Sequence, residues 1–176
     1  AEELQSCSSS SYGPVRFDEV LNHLDVSGET CAMTVLPCTQ RAVDRLPNRI
    51  KKQILYTFGI VCSHNVTDLM GDFFAKKHGI SGDEKFKINY RDKFNIPNAN
   101  EYNTCFQISG GREIRTPRLN NGYTHAWRNY WFAQECCLYC PDFYVADADM
   151  SCKDAWGKLS ADPLGISLCI VRNDVI

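Results

Sequence analysis

The chain has no apolar run of the roughly 18 residues needed to span a bilayer as a helix, and it has no HExxH helix and no serine elbow. Metalloprotease and serine-hydrolase chemistry therefore find no motif. Gly110-Gly111 lacks the rest of a phosphate-binding loop and reads as a turn. Neither sign of charge dominates: 19 Lys and Arg stand against 21 Asp and Glu, a net charge of −2. No global field draws the molecule to nucleic acid or to an anionic membrane, so neither nucleic-acid binding nor membrane insertion is expected. No repeat, low-complexity segment or linker divides the 176 residues, which read as a single domain, 1–176.

Cysteine, by contrast, is abundant. Cys7, Cys31, Cys38, Cys62, Cys105, Cys136, Cys137, Cys140, Cys152 and Cys169 are even in number and spread along the chain. That spread predicts up to five disulfides made in an oxidising compartment, in a secreted chain. The chain opens on Ala1, as a mature secreted chain would, and Asn65-Val66-Thr67 is an acceptor sequon for N-glycosylation at Asn65. Cys137-Leu138-Tyr139-Cys140 leaves three readings open. It is a pair of bridge cysteines, a redox dithiol, or half of a zinc site whose other ligands come from Cys152 and the scattered histidines. The vicinal Cys136 and Cys137 should in any case serve different partners. Connectivity does not follow from spacing.

Periodicity supplies the elements. Phe17, Val20, Leu21 and Leu24 define one face of an amphipathic helix; Cys31, Met33 and Val35 alternate as a strand. Ile50, Ile54, Leu55 and Phe58 predict a helix from Pro47 to Gly59, and Leu69, Phe73 and Phe74 another ending before Gly79. Strands follow at Phe86 to Tyr90 and Thr104 to Ile108, with a short return through Glu113 and Ile114. A helix at Ser151 to Leu159 carrying Trp156 and a terminal strand from Ile166 to Val171 complete the reading. The predicted fold is α+β: a mainly antiparallel sheet of about four strands with helices packed on it.

Residues 123–152 concentrate aromatic and sulfur side chains and predict a buried, disulfide-stapled hub around Trp127 and Trp131. His125 with Glu113 or Glu135 offers acid–base groups for a small secreted hydrolase of ribonuclease type. Asp147 and Asp149 lack the glycine and terminal glutamate of a calcium loop and read as a solvated turn. The remaining histidines, His23, His64 and His78, read as surface groups. Arg112, Arg115 and Arg118, together with the 95–103 loop, are candidate docking segments. The aromatic content also admits an apolar-ligand carrier, which would need an open cavity.

Trp127-Arg128, together with length, cysteine count and element order, resembles the cysteine-rich small secreted effectors of plant-pathogenic fungi. More narrowly, it is similar to the Leptosphaeria avirulence and suppressing (LARS) family and its relatives from tomato leaf mould. That family's motif opens Trp-Arg; Asn129-Tyr130 departs from its continuation. The resemblance implies a non-enzymatic, monomeric virulence factor of the plant apoplast, without cofactor, whose partner is an extracellular host protein or immune receptor. It also implies a structural role for Trp127 in the core and for Arg128 on a neighbouring loop.

Overall fold

The computed structural model describes residues 12–96, 98–155, 162 and 165–174. In chain order the elements are α1 (Asp18–Ser27), β1 (Cys31–Val35), α2 (Pro37–Asp44), α3 (Asn48–Lys51), β2 (Ile54–Ile60), α4 (Leu69–Lys77) and β3 (Phe86–Asp92). There follow β4 (Asn103–Ile108), β5 (Glu113–Pro117), α5 (Tyr123–Arg128), α6 (Glu135–Leu138), β6 (Met150–Asp154) and β7 (Ser167–Val171). Cys7 and Trp156 lie outside the described residues, so the expectations placed on them do too. The chain divides into two compact units.

One unit comprises residues 15–63, 135–155 and 166–176. Its four strands run in the order β1-β2-β6-β7. β1 with β2 and β2 with β6 are parallel, and only β6 with β7 is antiparallel. This corrects the expected mainly antiparallel sheet. The expected helix from Pro47 to Gly59 survives only as α3, because Ile54, Tyr56, Thr57 and Phe58 are β-branched or aromatic side chains that suit a pleated surface. The helix expected from Ser151 likewise gives way to β6. Met33, Val35, Val43, Val145 and Ala148 form the core, with Phe17, Leu46 and Ile54 packed against it. Pro37 occupies the first turn of α2, where its missing N–H costs nothing. Gly28, at φ 69°, closes α1 through its N–H to the Leu24 carbonyl at 3.1 Å.

The other unit comprises residues 1–14, 64–134 and 156–165. Here β3, β4 and β5 make an antiparallel meander, as their alternation predicts. α4 buries Met70, Gly71, Phe74 and Ala75. Met70, Phe74 and Ala75 form one apolar cluster with Val66, Ile80, Tyr90, Phe106, Ile108, Tyr123 and Ala126, which Tyr12 and Trp127 flank. Trp127 meets the Tyr12 ring at a centroid distance of 4.7 Å and the His64 ring at 4.1 Å. The expected hub is thus two things. Its aromatic half belongs to this unit and its cysteine half, from Glu135 onward, to the other. Trp131 is not core: α5 stops at Arg128, and Trp131 is 48% exposed.

None of the nine described cysteines is in a disulfide, which corrects the expected bridge framework. Eight of the nine fall in the unit with the parallel sheet, Cys105 alone in the other. Among the described residues no helix is long and apolar enough to cross a membrane.

Candidate functional site

Two adjacent parallel strands end at the same sheet edge, and the chain leaves each of them toward a cysteine. Cys38 follows β1 in the first turn of α2, and Cys62 follows β2. In open parallel sheets the crevice beyond the strands' carboxyl ends is where ligands collect. The CxxC segment joins them there. Cys137 lies in α6 and Cys140 in the turn after it, its N–H bonded to the Cys137 carbonyl at 3.3 Å. All four belong to one unit.

Electrostatics shows that they share one neighbourhood. Burial pushes the Cys62 thiol up to about 11, and charge on Cys137, Cys38 and Cys140 acts in the same sense. Negative charge on a neighbouring sulfur disfavours the Cys62 thiolate. A cation among them would reverse that penalty, because sulfur anions are what soft metals bind.

The loop carrying Cys140 is braced from within. The Cys140 thiol donates to the Asp142 carbonyl at 3.2 Å. The Asp142 carboxylate accepts from Tyr144 N at 3.0 Å and from Ala146 N at 3.2 Å. Cys62 N donates to the Phe143 carbonyl at 3.1 Å, and Val61 N to the Cys152 carbonyl at 3.0 Å. Val145, fully buried, is held at φ 53°, a backbone conformation that β-branched residues avoid. Such strain persists only where the surroundings over-determine it.

Among the described residues no three Cys, His, Asp or Glu side chains close around a single ion. Four tetrahedral zinc ligands would have to converge at about 2.3 Å from one centre. A polynuclear iron–sulfur cluster instead holds its four cysteines around a larger body. The donor set around Cys62 is all sulfur, the chemistry that iron–sulfur clusters use.

The other candidates from the sequence lie elsewhere. Arg112 pairs with Glu84 at 2.7 Å. Arg115 pairs with Asp92 at 2.9 Å and Glu113 at 2.7 Å, and Arg118 donates to the Asn100 carbonyl at 3.0 Å. These arginines fasten the meander and its loop. His125 stands edge-on to Trp131, while Glu113 is committed to Arg115 and Glu135 belongs to the other unit. The expected acid–base pair is not assembled among these contacts. His64 is buried rather than on the surface. Asp149 is no solvated turn residue: it accepts from Thr57 N at 2.8 Å, Thr57 Oγ1 at 3.0 Å and Asn173 Nδ2 at 2.8 Å. Asn65 donates through Nδ2 to the Gly13 carbonyl at 2.8 Å and accepts from Val66 N at 2.9 Å. Trp127 is partly buried against the core and Arg128 is exposed.

Sequence reasoning missed Cys38 and Cys62 as companions of the CxxC pair. The available signal was Pro-Cys after one strand and a cysteine two residues after the next.

The family described as coenzyme F420 hydrogenase/dehydrogenase, C terminus of the beta subunit, has a model that matches residues 28–176. No curated protein matches the chain. Among solved structures, the chain is similar to one in a xenon-derivatised F420-reducing [NiFe] hydrogenase complex from Methanosarcina barkeri. Identity there is 15% and the TM-score 0.47; the match covers 82% of this chain and 47% of the other. The chain therefore spans about half the length of that relative.

These findings overturn the resemblance to fungal effectors. The Trp127-Arg128 dipeptide was too short to carry it, and the described cysteines that lent it weight are thiols, not bridges. The non-enzymatic reading, its hydrolase and carrier alternatives, and the plant receptor as partner fall with it.

Proposed function

The chain belongs to the family formed by the C-terminal part of coenzyme F420 hydrogenase/dehydrogenase beta subunits, and on that premise we propose that it is the electron-carrying part of a redox enzyme. Cys38, Cys62, Cys137 and Cys140 would hold an iron–sulfur cluster. The observation that carries this reading is the gathering of the Cys38, Cys137 and Cys140 sulfurs about Cys62, beyond the carboxyl ends of β1 and β2. When bound, such a cluster supplies one-electron transfer.

The protein's own groups do the rest. Thiols must lose their protons to bind metal, and the depth that raises Cys62 also limits access of water to the site. Asp142 fixes the loop that presents Cys140, so that sulfur need not be ordered at the moment of loading. Partners on this reading are other subunits of the enzyme.

Anaerobic reconstitution with ferrous iron and sulfide tests the proposal. The wild-type chain is expected to gain broad visible absorption from sulfur-to-iron charge transfer. Cys62→Ser and Cys137→Ser should lose it, and Cys105→Ser, in the other unit, should keep it. A wild-type chain that stays colourless, or serine variants that colour equally, would overturn the assignment.

A further inference from the structure

Apart from the four-thiol site, Cys152 on β6 and Cys169 on β7 are direct cross-strand partners, and their sulfurs lie 3.3 Å apart. The ladder explains the approach. Arg172 N bonds to the Asp149 carbonyl and Ala155 N to the Ile166 carbonyl, each at 2.8 Å, which marks 149/172 and 155/166 as hydrogen-bonded pairs. Antiparallel pairs alternate, so 152/169, three positions from each, is a non-hydrogen-bonded pair, the kind whose side chains stand closest. β7 is the edge strand of its sheet, and Cys169 is exposed there.

We propose that Cys152 and Cys169 form a reversible dithiol switch, closed to an intrachain disulfide by small-molecule disulfides such as oxidised glutathione. The Cys169 thiolate, open to solvent, attacks one sulfur of glutathione disulfide. That S–S bond breaks, one glutathione thiolate leaves, and Cys169 carries the other half as a mixed disulfide. Cys152 then gives its proton to solvent and attacks the Cys169 sulfur, expelling the second glutathione. Two protein thiols are oxidised and one external disulfide is reduced to two thiols. Burial and the adjacent Cys169 sulfur push the Cys152 thiol up, which suits it to the second, resolving step. The strands are already in register, so side-chain rotation alone closes the bond. Closure clamps the edge strand to β6, whose Cys152 carbonyl accepts from Val61 N beside Cys62. The switch does not depend on metal at the four-thiol site.

The test equilibrates the full chain without oxygen across a series of reduced to oxidised glutathione ratios, quenches in acid, alkylates free thiols and maps the peptides by mass. The Cys152 and Cys169 peptides should pass from fully alkylated to cross-linked in a single two-electron transition, with Cys105 still alkylated. Cys169→Ser should abolish the cross-link and leave Cys152 a thiol. Cys152→Ser should trap glutathione on Cys169. Circular dichroism like that of wild type in Cys169→Ser separates loss of the link from loss of the fold. Alkylation of both wild-type residues at every ratio, or links from them to other cysteines, would overturn the proposal.

Discussion

A Cβ placed on Gly59 would stand 2.7 Å from the Cβ of Val145 and 3.1 Å from Ser151 Oγ. Strand β2 is thus bare of a side chain where the strained loop after Cys140 packs onto it. Gly59→Ala should destabilise the protein by about 1 to 3 kcal/mol, because neither backbone has room to give way. Denaturant unfolding of the metal-free protein measures this. An unchanged midpoint would show that the loop is not seated on β2.

Asp149 ties β2 to the chain end through Thr57 and Asn173. Asp149→Ala would leave the buried Thr57 N–H without that acceptor, at about 2 kcal/mol. Urea unfolding of the variant reads the loss directly.

Stability should also fall in acid. Burial alone would raise the Asp149 carboxyl, but the hydrogen bonds from Asn173 and Thr57 outweigh it and hold it below the usual range. Burial lowers His64 below its ordinary 6.5. In both cases the unfolded chain binds the proton more readily, so the stabilisation is present above the unfolded pKa and is lost as pH falls through the folded one. Thermal midpoints should therefore decline below about pH 6.5 for His64 and again in the carboxylate range for Asp149. Flat midpoints down to pH 4 would contradict the histidine part.

Cys62 gives the opposite limb. Its thiol is raised from 9.0 to about 11 by burial and by its three sulfur neighbours. The unfolded chain loses this proton first, so metal-free protein should lose stability as pH rises from 9 toward 11. Metal-loaded protein should not, since its thiolates are already formed. Alkylation of Cys62 in the metal-free protein should lag that of exposed Cys140 throughout neutral pH. Equal rates would mean that Cys62 is not shielded.

Much of the fold was legible. Alternation at Phe86 to Tyr90 and Thr104 to Ile108 marked the meander correctly, and Leu69, Phe73 and Phe74 marked α4, although Leu69 and Phe73 prove to be exposed. The site was not legible, and one misread element explains why. Ile50, Ile54, Leu55 and Phe58 have helical spacing, so β2 reads as helix, and without β2 there is no parallel pair whose ends bring Cys38 and Cys62 together. A short apolar run supports either period; tertiary pairing with β1 and β6 decided it. The CxxC pair was visible, but its partners lay 75 and 99 residues upstream of Cys137, counting from 62 and 38 to 137. No local spacing rule connects such positions.

On the proposed function, four thiolates of one unit hold an iron–sulfur cluster. The most direct test is elemental and acid-labile sulfide analysis of the chain produced and purified without oxygen, beside Cys62→Ser. Wild type should contain iron and sulfide in equal number with little zinc, and should give a paramagnetic signal on one-electron reduction; Cys62→Ser should contain little of either element. Zinc in place of iron, iron without sulfide, or a Cys62→Ser variant with undiminished iron and sulfide would contradict it.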